Sequence, residues 1–543
     1  MAALLKQDFT RERALALAEM SSDYADSLTE EQPLAAMGRY LDAAWLTRES
    51  SLLVMEEGGE NPEKALNDYA SARITRLLRD QEGTRKTSAS IPGSMRTWEL
   101  SLATGEGMVD PRRFDVVVPS SWTKTDGIKW KSITQDGAGV AMVGFVGFTP
   151  ERKEADPQFP EAGRGYPLNA RLEFDGNQAN LILQDLMDDS DARIGGRTVP
   201  LEANFSSAVS FSYYSKTTQM SRIEALLRPG EFQDQVGLYS FRPHDPERIP
   251  LVLVHGLLSS AEAWLPFVNL LLADSVVRER YQLVLFNYPT GVPIARSMTQ
   301  LREALEDYQK RNDPRRSNPN MRRMVILGHS MGGIISNAQI RKSGDHLYDS
   351  AFTKDIAELN LDPNQERILK RMAFFEANPD IDRAILLAAP LRGSAFASNR
   401  IGQLGARLIR LPFDFVDSVF GQIESIDALT DIAQQASQRP VNSVTSLRPD
   451  SPVLGGLLKC PVRPGVKIHS IMGQRDPSVP IEEGSDGLVP YSSAHLDEAV
   501  SEVVVMKADH RGMVEKDETL QEVWRILYEH VGRRRMEGSG SVE

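Results

Sequence analysis

The chain is predicted to be an α/β protein. Its C-terminal half is a mostly parallel sheet with a cap insertion, preceded by a helical N-terminal segment and a small β-sandwich-like domain. Three observations carry this. From about residue 246, apolar strand-like runs alternate with helical stripes, which implies a parallel sheet covered on both faces. One run, Val325 to Leu327, ends in Gly328-His329-Ser330-Met331-Gly332, a sharp strand-to-helix turn. Ahead of 246 the texture is different: helical periodicity to about 90, then short β-prone runs.

In residues 1–90, Ala14, Leu15, Leu17 and Ala18, then Leu34, Met37, Tyr40, Leu41, Ala44 and Trp45, recur at three- and four-residue spacing. Glu56 to Gly59 breaks the pattern. Asn61-Pro62-Glu63 restarts it, with Leu66, Tyr69, Ile74, Leu77 and Leu78 as the stripe. Between 91 and 245 the β-prone runs are Arg96–Leu102, Phe114–Val118, Val140–Phe148, Ala170–Phe174, Asn180–Gln184 and Val209–Tyr214. Pro92-Gly93, Asp136-Gly137, Asp175-Gly176 and Gly195-Gly196 separate them, a spacing that suggests a sandwich. Arg242 to Pro246 reads as a stiff polar boundary. Beyond it the expected strands are Ile249–Val254, Gln282–Asn287, Met324–Leu327, Ala384–Ala388, Val466–Met472 and Val503–Met506, with Leu301–Gln309, Met331–Ile340 and Leu520–His530 among the helices. The catalytic domain is thus expected over 246–543, with a cap at about 391–460.

Composition narrows the function classes. A chain of 543 residues exceeds one ordinary domain, and 41% hydrophobic with 25% charged residues is a globular balance. A formal charge of −13 disfavours nucleic acid and anionic membrane surfaces as partners. The single cysteine, Cys460, has no internal disulfide partner and reads as a packed thiol. No run approaches the ~18 apolar residues of a membrane span. Met1 to Lys6 lacks the charged region and apolar core of a signal peptide. The chain therefore reads as cytoplasmic, or as one from which an export signal has been removed. Nothing in residues 1–245 names a partner.

A serine hydroxyl is a weak nucleophile until a base takes its proton and the backbone presents it. A strand turning into a helix projects Ser330, and glycines at 328 and 332 admit the neighbouring backbone. The five-residue pattern alone is weak, since roughly 0.2 copies arise by chance in a chain of this length; the flanking strand and small-residue helix start make it informative. Four further segments agree with it: Pro250 to Leu257, Pro390 to Ser394, Ser485 to Pro490, and Asp509-His510 after a final strand. Together they resemble the α/β-hydrolases of the bacterial lipase and esterase type, in the order Ser, Asp, His. The resemblance covers about residues 247–543 only.

It implies Ser330 as nucleophile, His510 as base and Asp486 as the acid that orients it, with the backbone N–H groups of Leu257 and Met331 as the oxyanion hole. Asp476, in Gly473-Gln474-Arg475-Asp476, is the rival acid; Asp486 is preferred because its Asp-Gly-Leu-Val-Pro turn looks more like those of lipases. His255 is read as shaping its loop, and His329 as a packing residue pointing away from the reaction. Tyr288, with Phe286 and Pro289, is a candidate pocket wall. In the cap, Leu404, Leu408, Leu411, Phe415 and Val419 form an apolar stripe, so Leu404, Leu408 and Phe415 are candidate acyl-chain contacts, or simply a helix face packed on the sheet. No cofactor is implied. No metal is expected either, because Arg511-Gly512-Met513 supplies no carboxylate beside His510.

The activity so implied is that of a serine carboxylic-ester hydrolase, an esterase or lipase, acting through an acyl-enzyme on neutral aliphatic or lipid-like esters. An acyltransferase or thioesterase would use the same three residues. A binding protein on an inert hydrolase scaffold is the reading from another class.

Overall fold

The computed structural model describes residues 10–29, 31–48, 61–80, 88–123, 132–214, 235–394, 428–437 and 442–533. The chain forms two compact units, one of residues 1–154 and 160–217, the other of residues 155–159 and 218–543. Among the described residues, no helix is long and apolar enough to cross a membrane.

The first unit contains helices α1 (Arg11–Leu28), α2 (Pro33–Leu46) and α3 (Pro62–Asp80). Its strands are β1 (Ser88–Pro92), β2 (Thr97–Leu102), β3 (Val116–Pro119), β4 (Thr134–Gln135), β5 (Val140–Val146), β6 (Arg164–Asp175), β7 (Gln178–Asp185), β8 (Asp191–Ile194), β9 (Arg197–Pro200) and β10 (Ala203–Asn204). Six of them make one sheet in the order β1-β2-β7-β6-β5-β3, antiparallel except for the β2–β7 pair. The expected helices and all but one of the expected strands are present, and the layer facing this sheet is helical, not the second sheet of a sandwich. Met37, Tyr40, Leu41 and Ile74 of α2 and α3 share one core with Trp98, Leu100, Leu172 and Leu181 of the sheet. The amphipathic stripe in residues 1–90 is therefore buried against the strands that follow it, and the two segments form one unit. The buried carboxylate of Asp42 accepts from the Trp98 indole N–H at 2.9 Å, so even the polar groups of this core are paired across the layers.

One expected strand is corrected. Val209–Tyr214 lies in a helix, Phe205–Tyr214. Its aromatic and β-branched residues suggested a strand, but the Asn204 side chain accepts from the Ser207 N–H at 3.0 Å and starts a helix whose face is buried.

The second unit is built on a seven-stranded sheet. Its strands are β11 (Gly237–Ser240), β12 (Ile249–Val254), β13 (Tyr281–Asn287), β14 (Met324–His329), β15 (Ile381–Leu387), β16 (Lys467–Gln474) and β17 (Ala499–Met506), in the order β11-β13-β12-β14-β15-β16-β17. All pairs are parallel except β11 with β13. Every residue of β12 is buried, which explains its unbroken apolar run. The strand β11 lies ahead of the boundary expected at 246. Arg242 to Pro246 is accordingly a loop inside this unit, joining an antiparallel edge strand to the sheet. Val252, Val254, Ile326, Ile335 and Leu386 belong to the main core, with Met298 and Leu301 from the helix Ile294–Asn312.

Chain order reverses at β12. Its successor β13 lies on one side and β14 on the other, so the loops leaving β12 and β14 part and leave a crevice at the strand ends. Leu257 and Ser330 sit on those two loops.

Candidate active site

Ser330 stands between β14 and the helix Met331–Gln339 with φ 56° and ψ −124°, a conformation that strains any residue with a Cβ. The chain tolerates it because the turn is tied on both sides. The Ser330 N–H donates to the Leu387 carbonyl at 2.8 Å, and the Ser330 carbonyl accepts from the Gly333 N–H at 2.9 Å. The flanking glycines are explained by proximity. A Cβ on Gly332 would sit 2.2 Å from the Val254 carbonyl oxygen, and one on Gly256 would sit 2.9 Å from the Ser330 Cβ. The helix, the loop bearing Leu257 and the turn bearing Ser330 approach one another so closely that side chains are excluded.

The structure brings Ser330, His510 and Asp486 together across 180 positions of sequence. The Ser330 hydroxyl lies 2.8 Å from His510 Nε2, and His510 Nδ1 lies 2.7 Å from Asp486 Oδ2. A carboxylate only accepts, so Nδ1 carries the ring hydrogen and the Nε2 lone pair faces the hydroxyl. Asp486 is held in turn: its Oδ1 accepts from the N–H groups of Leu488 at 2.9 Å and Val489 at 2.7 Å. The turn that resembled those of lipases thus fixes the carboxylate through its own backbone. Asp476 is elsewhere, exposed and bonded to the Ser478 N–H and hydroxyl.

Leu257 lies beside Ser330 in both cavities described below, and Met331 opens the helix, where an N–H has no intrahelical acceptor. His255 shapes this loop, stacking on Tyr288 with ring centroids 4.4 Å apart. Tyr288 itself is not a pocket wall. It is buried, donates from its hydroxyl to the His255 carbonyl at 2.7 Å, and packs on Phe286, so it braces the loop from beneath. Burial raises its pKa well above that of an ordinary phenol. His329 packs as expected but faces the site instead of pointing away from it. It is buried, and its Nε2 donates to the His510 carbonyl at 2.9 Å. Desolvation, then the neighbouring His510, push its pKa down to about 3.

Two cavities meet at Ser330. The smaller, about 200 Å³, runs past Trp264, Phe267, His329 and Val514. The larger, about 420 Å³, is lined by Leu258, Val444, Leu447, Leu488 and Val489, together with Arg475, Arg511, Asp486 and Asp509. Val444 and Leu447 do come from the expected cap region, but no sequence signal singled them out. Leu404, Leu408 and Phe415 lie outside the described residues. Cys460 is buried and free. Among the described residues, no group of three or more His, Cys, Asp or Glu is placed to hold a metal ion.

The family profile described as the alpha/beta hydrolase family matches residues 251–523. The comparison with curated proteins found no match. Among solved structures, the chain is similar to the mature form of the Bacillus licheniformis lipase BlEst2, with 16% identity over 53% of this chain and 97% of that one and a TM-score of 0.32. Esterase B from Lactobacillus rhamnosis aligns at 10% identity over 54% of this chain and 80% of that one, with a TM-score of 0.29. The type II thioesterase BorB of the borrelidin biosynthetic cluster aligns at 15% over 55% and 97%, with a TM-score of 0.26. The profile spans half of the sequence and includes the strand ends that carry Leu257, Ser330, Asp486 and His510: the chain belongs to the alpha/beta hydrolase family.

Proposed function

We propose that this hydrolase cleaves carboxylic esters through an acyl-enzyme on Ser330. The observation that carries the reading is the continuous hydrogen-bonded line from Ser330 Oγ through the His510 ring to Asp486, at 2.8 and 2.7 Å. His510 Nε2 takes the hydroxyl proton as Oγ attacks the ester carbonyl, then returns it to the departing alcohol. Asp486 keeps the useful tautomer and stabilises the imidazolium that forms. The oxygen of the tetrahedral intermediate lies toward the N–H groups of Leu257 and Met331; each such donor typically contributes about 3 kcal/mol in the transition state. Water then attacks the acyl-enzyme by the same proton route in reverse.

The two cavities beside Ser330 support an ester with an organic group on each side of the scissile bond. Transfer to an alcohol or thiol acceptor would share the first half-reaction, and no feature of the described site favours it over water. The aligned triad weighs against an inert scaffold. The deciding experiment is labelling by a fluorophosphonate probe, with hydrolysis of a series of para-nitrophenyl esters. Wild type should be labelled and active, and Ser330→Ala neither. An unlabelled wild type, or a Ser330→Ala variant of full activity, would end the proposal.

A further inference from the structure

The segment Pro390 to Ser394 carries none of the reacting groups, yet it is tied to the stretch of chain that carries Asp486. Two buried serines make the connection. The Ser394 hydroxyl donates to the Leu488 carbonyl at 2.6 Å, and the Ser493 hydroxyl donates to the Gly393 carbonyl at 2.6 Å. The loop is also pinned from the other side. The Ser394 N–H donates to the Leu447 carbonyl at 2.8 Å, and a Cβ on Gly393, where φ is 87°, would lie 2.5 Å from the Pro449 nitrogen. Held between two segments, Ser394 has little freedom to move its hydroxyl.

The peptide that Ser394 holds distinguishes it from Ser493. The Leu488 carbonyl and the Val489 N–H are the two ends of one planar trans peptide. That N–H donates to Asp486 Oδ1 at 2.7 Å. Fixing the oxygen of a rigid plane fixes the direction of its hydrogen. A donor on the carbonyl also polarises the amide and strengthens the bond that its N–H makes. Hydrogen bonds therefore run without a break from the Ser394 hydroxyl through the Leu488–Val489 peptide, Asp486 and His510 to Ser330. The Ser493 bond is equally short but leads elsewhere: the Gly393 carbonyl shares its peptide with the Ser394 N–H, which points to Leu447.

We infer that Ser394 is a positioning residue of this site. Through the Leu488–Val489 peptide, its hydroxyl orients the carboxylate that aligns His510. The inference rests on the ester-hydrolase reading above and adds one side chain to its machinery.

The test is a double-mutant cycle on the full chain, read as hydrolysis of para-nitrophenyl butyrate. Rates are referred to sites titrated by the fluorophosphonate probe, so misfolded molecules do not count. Ser394→Ala should lower kcat by about tenfold and change KM by less than about twofold, because the bond governs alignment and not substrate binding. In an Asp486→Ala background the peptide N–H has no carboxylate to orient, and the same substitution should change kcat by less than about twofold. Ser493→Ala is the control. It deletes an equally short bond at the same contact and should cost the same in both backgrounds, less than about threefold. Equal losses from Ser394→Ala in the two backgrounds would overturn the inference, as would a loss no larger than that of Ser493→Ala. If Ser394→Ala does not fold, Ser394→Cys, a weaker donor of similar shape, takes its place in the same cycle. The hydrolase reading fails separately. Full activity in Ser330→Ala removes that reading, whereas an enzyme that needs Ser330 and Asp486 but shows additive losses at Ser394 loses only this inference.

Discussion

The residue before the proposed nucleophile holds the residue proposed to activate it: His329 Nε2 donates to the main-chain carbonyl of His510 at 2.9 Å, and the two rings lie 5.0 Å apart. The imidazole of His510 is thereby anchored at its own backbone, while Asp486 holds its far side. His329→Ala should lower kcat by about tenfold or more and leave KM nearly unchanged, because the substrate touches His510 only as the reaction proceeds. Its Tm should fall as well, since a buried carbonyl loses its donor at a cost of about 1–3 kcal/mol. Steady-state kinetics with a para-nitrophenyl ester, beside a thermal melt, checks both; an equal loss carried entirely by KM would contradict the anchoring role.

Acid should destabilise this unit through histidines that are buried neutral. Burial, followed by neighbouring charges, holds His329 and His469 at about 3, against an ordinary value near 6.5. In the unfolded chain both take up protons as pH falls below about 6.5. The unfolded state then binds more protons than the native state, so stability is lost between about pH 6.5 and 3, and no penalty from this source remains above that window. The Tm should decline across that interval, with a shallower slope in His469→Gln. An identical slope in that variant would show that His469 does not contribute.

The identity of the acid is tested by two substitutions. Asp486→Asn leaves a side chain able to donate to His510 Nδ1, which favours the wrong tautomer, so kcat should drop by roughly 10³-fold or more. Asp476→Asn should change kcat by less than about twofold, because among the described residues the Asp476 carboxylate bonds only to Ser478 at the surface. The reverse result would move the acid to Asp476.

Strain at the nucleophile is measurable by comparing two inactive variants. At φ 56° and ψ −124°, alanine keeps the unfavourable backbone and glycine does not. Both lose the hydroxyl. Ser330→Gly should therefore unfold at a higher temperature than Ser330→Ala, with a stability difference of about 1 kcal/mol. Calorimetry of the pair decides it, and a less stable glycine variant would show that the turn is unstrained.

Tyr288→Phe removes only a hydroxyl, yet that hydroxyl is the donor beneath the His255 carbonyl at 2.7 Å. The loop bearing Leu257 should become less ordered, with kcat reduced about tenfold while fluorophosphonate labelling of Ser330 slows in proportion. Unchanged labelling would place the brace outside the chemistry.

The sequence made the second unit legible because its central strands β12 to β16 are buried on both faces and its turn residues carry sterically forced glycines. Gly332 cannot take a Cβ against the Val254 carbonyl, so the residue type itself reports the close approach. Asp486 was readable for a related reason, since the turn that holds it also supplies its N–H donors. The direction His329 faces and the bracing position of Tyr288 were not legible because they depend on partners distant in sequence, the His510 and His255 carbonyls, which leave no local pattern. In the first unit, the spacing of short strands suggested a sandwich, but spacing carries no information on what covers the sheet, which is the α2–α3 stripe. Val444 and Leu447 lie in a segment with no periodic signature, so their place at the cavity was invisible before folding.

Residues 155–159 belong with the hydrolase unit, although more than fifty positions separate them from its main body. The carbonyl of Gln158 there receives the Ser240 N–H of the edge strand β11 at 3.0 Å. Expressing the enzyme from residue 218 or 246 onward would thus discard a strap that the sheet folds with. The two halves of this polypeptide are interleaved along the gene, and a clean single cut between them does not exist.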